Sequence, residues 1–338
     1  MMSRRVKTQR WLVAAAVATL LGGGASACSS PAANAGPGNA NVSVRVPEPQ
    51  GVQDPAQLPA PDASGSSAPA CNPYASSLRP TGALPAPGRM PAGSTMAKIL
   101  ARGTLRVGVD QNTYKFGYRD PATGQIVGFD IDIAHAIARA IFGDPNKIQF
   151  VSITAAQRIP DVVKGTVDVV ADTMTVTCDR LQQVAFSTIY YDAGQNVLVR
   201  KDSGITDLAG LAKQKVCAAA GSTSITNIAA LPSHPVPVAV NDWTDCLVML
   251  QQGQVAAIST DDTILRGLAA QDPNTKLALA TNFTKEPYGL AMNRQAPDLV
   301  RFVNGVLAQL RSDGGWAAIY TRWLNSPAPA PPLAQYAS

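Results

Sequence analysis

The sequence predicts an α/β fold of mainly parallel sheets flanked by helices. Three observations lead there. Strand-like apolar runs alternate with helical patterns across residues 95–325, which argues for parallel strands joined by crossover helices. The chain of 338 residues is 46% hydrophobic, enough for a sizeable core, and at 15% charged it lies outside the disordered class. No internal repeat points to a solenoid. Length allows about two domains.

Taken in order, Leu105–Val109 reads as a strand. Asp130 stands where it can N-cap a helix that carries Ile133, Ile137 and Ile141 on one face. Residues 148–153 form the next strand, and 168–171 another, after a helix-like stretch at 159–164. Further strands fall at 196–200 and 215–219. Asp242 can cap a helix bearing Cys246, Leu247 and Leu250, and 255–259 is strand-like. Leu299, Val303, Val306 and Leu310 then define an amphipathic helix, and Trp316, Ile319, Tyr320 and Trp323 a second.

The N-terminus has a different character. Residues 1–10 are basic, 11–21 are apolar, and small residues run from Gly22 to Ala27 before Cys28. This is the layout of a secretory signal, expected over 1–27. An apolar run of about 11 residues is short beside the roughly 20 a spanning helix needs. Ala25, Ser26, Ala27 and Cys28 resemble a bacterial lipobox, with Ala25 where Leu is usual, so Cys28 is the expected lipidation site and a membrane anchor. Residues 28–70 read as a flexible tether, 71–94 as a lead-in packed on the globular part, and 326–338 as a flexible tail.

Charge and composition exclude several functions. The formal charge is +5, but without Arg4, Arg5, Lys7 and Arg10 there remain 24 basic against 23 acidic residues. With aromatics at 6%, no nucleic-acid partner is expected. Dinucleotide, P-loop and esterase-elbow signatures are absent from the sequence. His135 and His234 read as ordinary packed or surface residues. No carboxylate pair suggests an acid and a base, so no enzyme is expected. Beyond Cys28 there are four cysteines, an even number that suggests two disulfides in an exported protein. Three pairings are possible. Cys217 on a strand and Cys246 on a helix of the same segment can be neighbours, leaving Cys71 for Cys178. No CxxC spacing exists and neither histidine is near a cysteine, so no metal is expected, nor any cofactor.

The block from Thr173 to Arg180 (TMTVTCDR) directly follows a predicted strand. Hydroxyls and backbone N–H groups at the carboxyl end of a strand, with an Arg whose two-pronged donor matches two oxygens, suit a carboxylate.

With this block, a series of ordered matches over most of residues 95–325 resembles the polar amino-acid-binding proteins of ABC importers, of type 2 periplasmic-binding-protein architecture. The matches are Gly103–Val109 (GTLRVGV), 128–134 (GFDIDIA), Val167-Asp168, 173–180, 186–190 (FSTIY), 207–210 (DLAG), 221–224 (GSTS), 259–262 (STDD), and Asp313, Gly314, Ile319, Tyr320 and Trp323. The actinobacterial glutamine/glutamate-binding lipoproteins of this family also carry cysteines at the positions of Cys71, Cys178, Cys217 and Cys246. The resemblance implies two α/β lobes on two hinge strands, lobe 1 at 95–198 and 286–325, lobe 2 at 199–285, with an amino acid held in the cleft. It implies that Arg180 and Thr175 hold the ligand α-carboxylate. Thr173 contributes to the ammonium, Asp261 pairs with it, and Thr223 donates from lobe 2. Arg158 matches an Arg of the glutamate/aspartate-binding subgroup that faces the ligand side chain; an isolated Arg in a closed cleft requires an anion. Asp110 stands where glutamine binders hold a side-chain amide, and would repel a side-chain carboxylate unless Arg158 or Lys115 neutralised it. Glu, Asp, Gln and Asn therefore all remain open. Thr113 and Ala155 stand where an aromatic wall is usual, so Tyr114, Phe116 or Trp243 is expected to supply it. The implied partners are an ABC permease with its ATPase or, alternatively, a membrane sensor protein. The protein would act as a monomer at the outer face of the membrane. An enzyme on the same scaffold is the least favoured reading.

Overall fold

The computed structural model describes residues 46–58 and 71–337. The expected signal peptide, Cys28, and parts of the expected tether lie outside the described residues. In each of two five-stranded sheets, four strands run the same way and one runs against them. In the first, Leu105–Val109 lies parallel between Ile148–Ser152 and Val169–Val170. Ala291–Met292 returns antiparallel beside Val169–Val170 and carries Ala185–Phe186 on its other edge. In the second, Lys215–Ala219 lies parallel between Val236–Val240 and Ala257–Asp261. Gln195–Arg200 then pairs antiparallel with Ala257–Asp261, and Thr275–Leu277 with Gln195–Arg200.

The chain crosses between the lobes twice, at Tyr191–Ala193 and Glu286–Tyr288, which pair antiparallel. The first crossing comes earlier than the expected boundary at 198, because Gln195–Arg200 pairs within the second sheet.

Each lobe has its own core. In lobe 1 the helix Phe129–Phe142 buries Ile133, Ile137 and Ile141, spaced four apart, and stops at Gly143 in the left-handed conformation. Each such isoleucine stabilises the fold by about 2 kcal/mol. Asp130 does not cap this helix. Gly128 holds the cap position and Asp130 is the second helical residue, where its carboxylate accepts from Thr173 N–H. In lobe 2 the helix Trp243–Gln251 packs Trp243, Cys246, Leu247 and Leu250 on the sheet, and Cys246 is bonded to Cys217 on the strand beneath.

Three segments expected to be flexible or peripheral are fastened down. Residues 46–58 lie along the outer strand of lobe 2. Gln53 and Ala239 exchange backbone hydrogen bonds of 2.9 and 3.0 Å, and Ala56 N–H donates to Pro237 O at 2.8 Å. Asp54 pairs with Lys215. This part of the expected tether is therefore an added strand-like strap that covers a sheet edge. The lead-in is pinned to lobe 1 by the Cys71–Cys178 disulfide, and buried Ser77 donates to Phe186 O at 2.7 Å. The C-terminal segment is also no free tail. Ala337 N–H donates to Ser77 O at 2.8 Å, Arg311 Nε donates to Pro332 O at 3.0 Å, and the Arg79 guanidinium lies 4.6 Å from the Tyr336 ring centroid. Its prolines already restrict the chain to extended forms, so docking costs little entropy.

The Cys71–Cys178 bridge closes a separation of 107 residues. Removing it by a Cys71→Ser, Cys178→Ser double substitution is expected to cost about 3 kcal/mol, a fall in Tm on the order of 8 °C measurable by calorimetry. An unchanged Tm would show that packing alone holds the lead-in.

Candidate functional site

The carboxyl ends of the parallel strands of both lobes meet between the lobes, where open α/β sheets place their ligands. From lobe 1 come Asp110, after Leu105–Val109, and residues 172–180, after Val169–Val170. From lobe 2 come Gly221 to Thr223, after Lys215–Ala219, and Asp261, the last residue of Ala257–Asp261. The jaws touch. Arg180 Nη2 donates to Gly221 O at 3.2 Å, and Asn112 Nδ2 donates to Asp242 Oδ1 at 3.1 Å.

Arg180 sits on the short helix Cys178–Leu181, which the Cys71 disulfide anchors. It is buried, and Nη1 donates to Thr175 O at 2.7 Å. Burial, reinforced by the positive charge of Arg158, brings its pKa down to about 9, while Glu286 and Asp261 act in the opposite sense. Asp261 faces the same desolvated space from lobe 2. Its Oδ2 accepts from Tyr288 OH at 2.6 Å, and its buried Oδ1 has no partner. Burial first, then the charge of Glu286, pushes its acid up to about 8. An unpartnered buried carboxylate oxygen and a desolvated guanidinium whose charges act on each other have the chemistry to accept a small molecule carrying both charges.

The two threonines differ from the expectation. Thr175 Oγ1 donates to Glu286 Oε2 at 2.7 Å, and Thr223 Oγ1 donates to the same oxygen at 2.9 Å. A hydroxyl has one proton to give. Both are committed to Glu286, so these groups offer the cleft acceptor lone pairs rather than donors for a ligand carboxylate. Thr173 is held at φ +40°, a region that most residues avoid. Its N–H donates to Asp130 Oδ2 at 2.8 Å, and Tyr190 OH donates to Asp130 Oδ1 at 2.7 Å. Burial carries the Asp130 acid up to about 7.

Arg158 is buried but not isolated. Nε donates to Ala155 O and Nη1 to Asp172 O, both at 3.0 Å, and the Asp172 carboxylate lies 4.0 Å from Nε. Burial holds the Asp172 acid well above its ordinary range, so Asp172 compensates the guanidinium weakly. Asp110 is turned into its own loop. Oδ1 accepts from Gln111 N–H at 2.6 Å and Asn112 N–H at 2.9 Å, and Oδ2 accepts from the Thr113 hydroxyl. Burial raises its pKa. Its lone pairs are largely used within 110–113. Lys115 is not its partner: the ammonium lies 5.9 Å from the Tyr114 ring centroid. Of the expected wall residues, Phe116 packs against Phe129, Tyr191 and Tyr288, and Trp243 sits in the lobe 2 core. Tyr114 stands at the junction of the jaws, its Cβ and carbonyl oxygen against Gly267 of lobe 2.

Sequence reasoning missed Glu286. The signal was a lone acid opening an otherwise uncharged stretch, 286–292 (EPYGLAM).

The fold and this cleft define a two-lobed solute-binding protein of type 2 periplasmic-binding-protein architecture. The chain belongs to the bacterial extracellular solute-binding proteins, family 3, which it matches over residues 105–326. It is 38% identical over 232 residues to the ABC transporter glutamine-binding protein GlnH of Bacillus subtilis, covering 68% of this chain and 85% of that protein. It is 27% identical to the glutamate/aspartate import solute-binding protein of Escherichia coli, covering 70% and 82%. Among solved structures, the solute receptor for L-cysteine of Neisseria gonorrhoeae superposes with a TM-score of 0.66 at 30% identity, covering 68% of this chain and 94% of that one. Holo ArgBP from T. maritima gives 0.61 at 30%, covering 68% and 99%.

Gly221 tests the closeness of the jaws. It has φ +75°, and a Cβ there would lie 2.7 Å from Ala156 Cα of the opposite lobe. Gly221→Ala is expected to wedge the cleft and weaken ligand binding at least tenfold, about 1.4 kcal/mol, as read by calorimetry. Unchanged affinity would mean that the jaws need not meet here.

Proposed function

We propose that this protein is an exported, lipid-anchored receptor that captures a polar amino acid between its lobes, glutamate or aspartate in preference to glutamine or asparagine, and presents it to an ABC permease. The observation that carries the reading is the pair of buried guanidiniums, Arg158 and Arg180, whose like charges act on each other. Arg180, which reaches Gly221 of the opposite jaw and feels the charge of Asp261, takes the α-carboxylate. Asp261 takes the ammonium on its unpartnered oxygen, with the threonine lone pairs beside it. A second carboxylate on the ligand side chain answers Arg158, which Asp172 compensates only weakly.

The names of the relatives allow both side-chain classes, since glutamine-binding and glutamate/aspartate-binding proteins both match. Asp110, folded onto its own loop, is a weaker obstacle to an acidic ligand than its position suggested. Closure exchanges water around the charged ends for fixed partners, so ligand favours the closed form. Export and anchoring rest on the basic, apolar and small-residue succession ending at Cys28. A sensor role would use the same closed surface; recovery of a permease with the amino acid present separates the two.

Calorimetry against the twenty amino acids is the direct test. Arg180→Ala is expected to weaken every ligand at least a hundredfold, because it leaves a buried carboxylate unpaired. Arg158→Ala is expected to harm Glu and Asp selectively; equal loss across Glu, Asp, Gln and Asn would remove the basis for acidic preference.

A pH dependence follows from Asp261. Its acid sits near pH 8 in the fold, and an ammonium partner requires the ionised form. Binding below that pH must expel a proton. Affinity is therefore expected to rise with pH toward 8, by at most about tenfold per unit, and then level off. Titrations in buffers of different ionisation enthalpy count the proton, and Asp261→Asn should abolish this contribution.

A further inference from the structure

We infer that Glu286 is the positioning residue that joins the two lobes, an internal carboxylate that holds the jaws in register whichever amino acid the cleft receives. Glu286 opens the hinge strand Glu286–Tyr288 and is 2% exposed. A carboxylate has about four acceptor directions, and here four donors from different parts of the chain use them. Oε2 accepts from Thr175 Oγ1 at 2.7 Å and Thr223 Oγ1 at 2.9 Å. Oε1 accepts from Thr284 Oγ1 at 2.7 Å and Asn227 Nδ2 at 3.1 Å.

The origins of these donors give the arrangement its meaning. Thr175 belongs to the binding loop of lobe 1. Thr223 and Asn227 stand four apart on the lobe 2 helix Thr223–Ala229, hence on one face. Asn227 Nδ2 also donates to Gln195 Oε1 at 2.7 Å, which ties that helix to the strand just beyond the other crossing. One acid thus bonds to the loop of one jaw and the helix of the other from the hinge between them. Separating the jaws must strip it of the Thr175 bond or of the Thr223 and Asn227 bonds. A buried carboxylate that loses donors is costly until water reaches it, so the closed arrangement is favoured from within the protein. Glu286 acts through the threonines and the hinge and need not touch the ligand.

The test is amide hydrogen exchange on the full chain with no amino acid added, so that its outcome does not depend on the ligand proposed above. Glu286→Gln keeps the shape but sets an NH2 against a donor. It is expected to speed exchange at least tenfold in peptides covering 173–177 and 221–227, while the sheet peptides 105–109 and 215–219 keep their protection. Cleft protection equal to that of the unsubstituted protein would overturn the inference. Should Glu286→Gln lose protection throughout both sheets, Thr223→Val decides, since it removes one cross-lobe bond and leaves the acid three donors. A smaller acceleration confined to the same peptides supports the bridge; none overturns it.

Discussion

The structure depends on charge held away from water at the junction of two lobes. Arg158 and Arg180 are buried there with Asp110, Asp130, Asp172, Asp261 and Glu286. Isolated, any of these ions would be costly. Together they are tolerable because each is turned onto a defined partner: Arg180 onto Thr175 and Gly221, Asp110 onto its own loop, Asp130 onto Thr173 and Tyr190, Glu286 onto four donors. Oδ1 of Asp261 is the buried oxygen among them without a partner, and it is the atom proposed above to take the ligand's ammonium. Burial moves Asp130, Asp172 and Asp261 toward their neutral forms, which eases the cost of holding so many acids away from water.

Such a site needs a scaffold that opens and shuts without losing its cores. Two sheets with separate hydrophobic clusters, joined by a two-stranded crossing at Tyr191–Ala193 and Glu286–Tyr288, meet that need. The crossing strands join the lobe 1 core through Tyr191 and Tyr288, while the lobe 2 core is a separate cluster. The disulfides follow the same division. Cys217–Cys246 lies within lobe 2, and Cys71–Cys178 fastens the lead-in to the turn that presents Arg180. Residues 46–58 dock on lobe 2 while 71–94 dock on lobe 1, so the N-terminal part of the described chain contributes to both.

Much of the framework was legible from local patterns. The spacing of Ile133, Ile137 and Ile141 specifies a buried helical face whatever lies opposite, and the alternation around Leu105–Val109 and Lys215–Ala219 marks central strands. Arg180 stood out in the block that follows a predicted strand, whereas Asp261 came from the family resemblance. Composition misled where it stood in for contacts. Residues 46–58 and 326–337 are rich in proline and small residues and read as flexible, yet their backbones meet open partners, one at a sheet edge and one at Ser77.

The sequence by itself determined the α/β class and the charged block after a strand, because these follow from periodicity and residue type over short spans, and its ordered matches to a known family implied the two lobes. Tertiary structure alone decided the partners. Thr175 and Glu286 are 111 residues apart, and Thr223 and Glu286 are 63 apart. No local pattern could say that two hydroxyls expected to serve a ligand would give their protons to an acid on the hinge. Hydrogen bonds depend on distances of a few tenths of an ångström, and those are set only when the whole chain has closed.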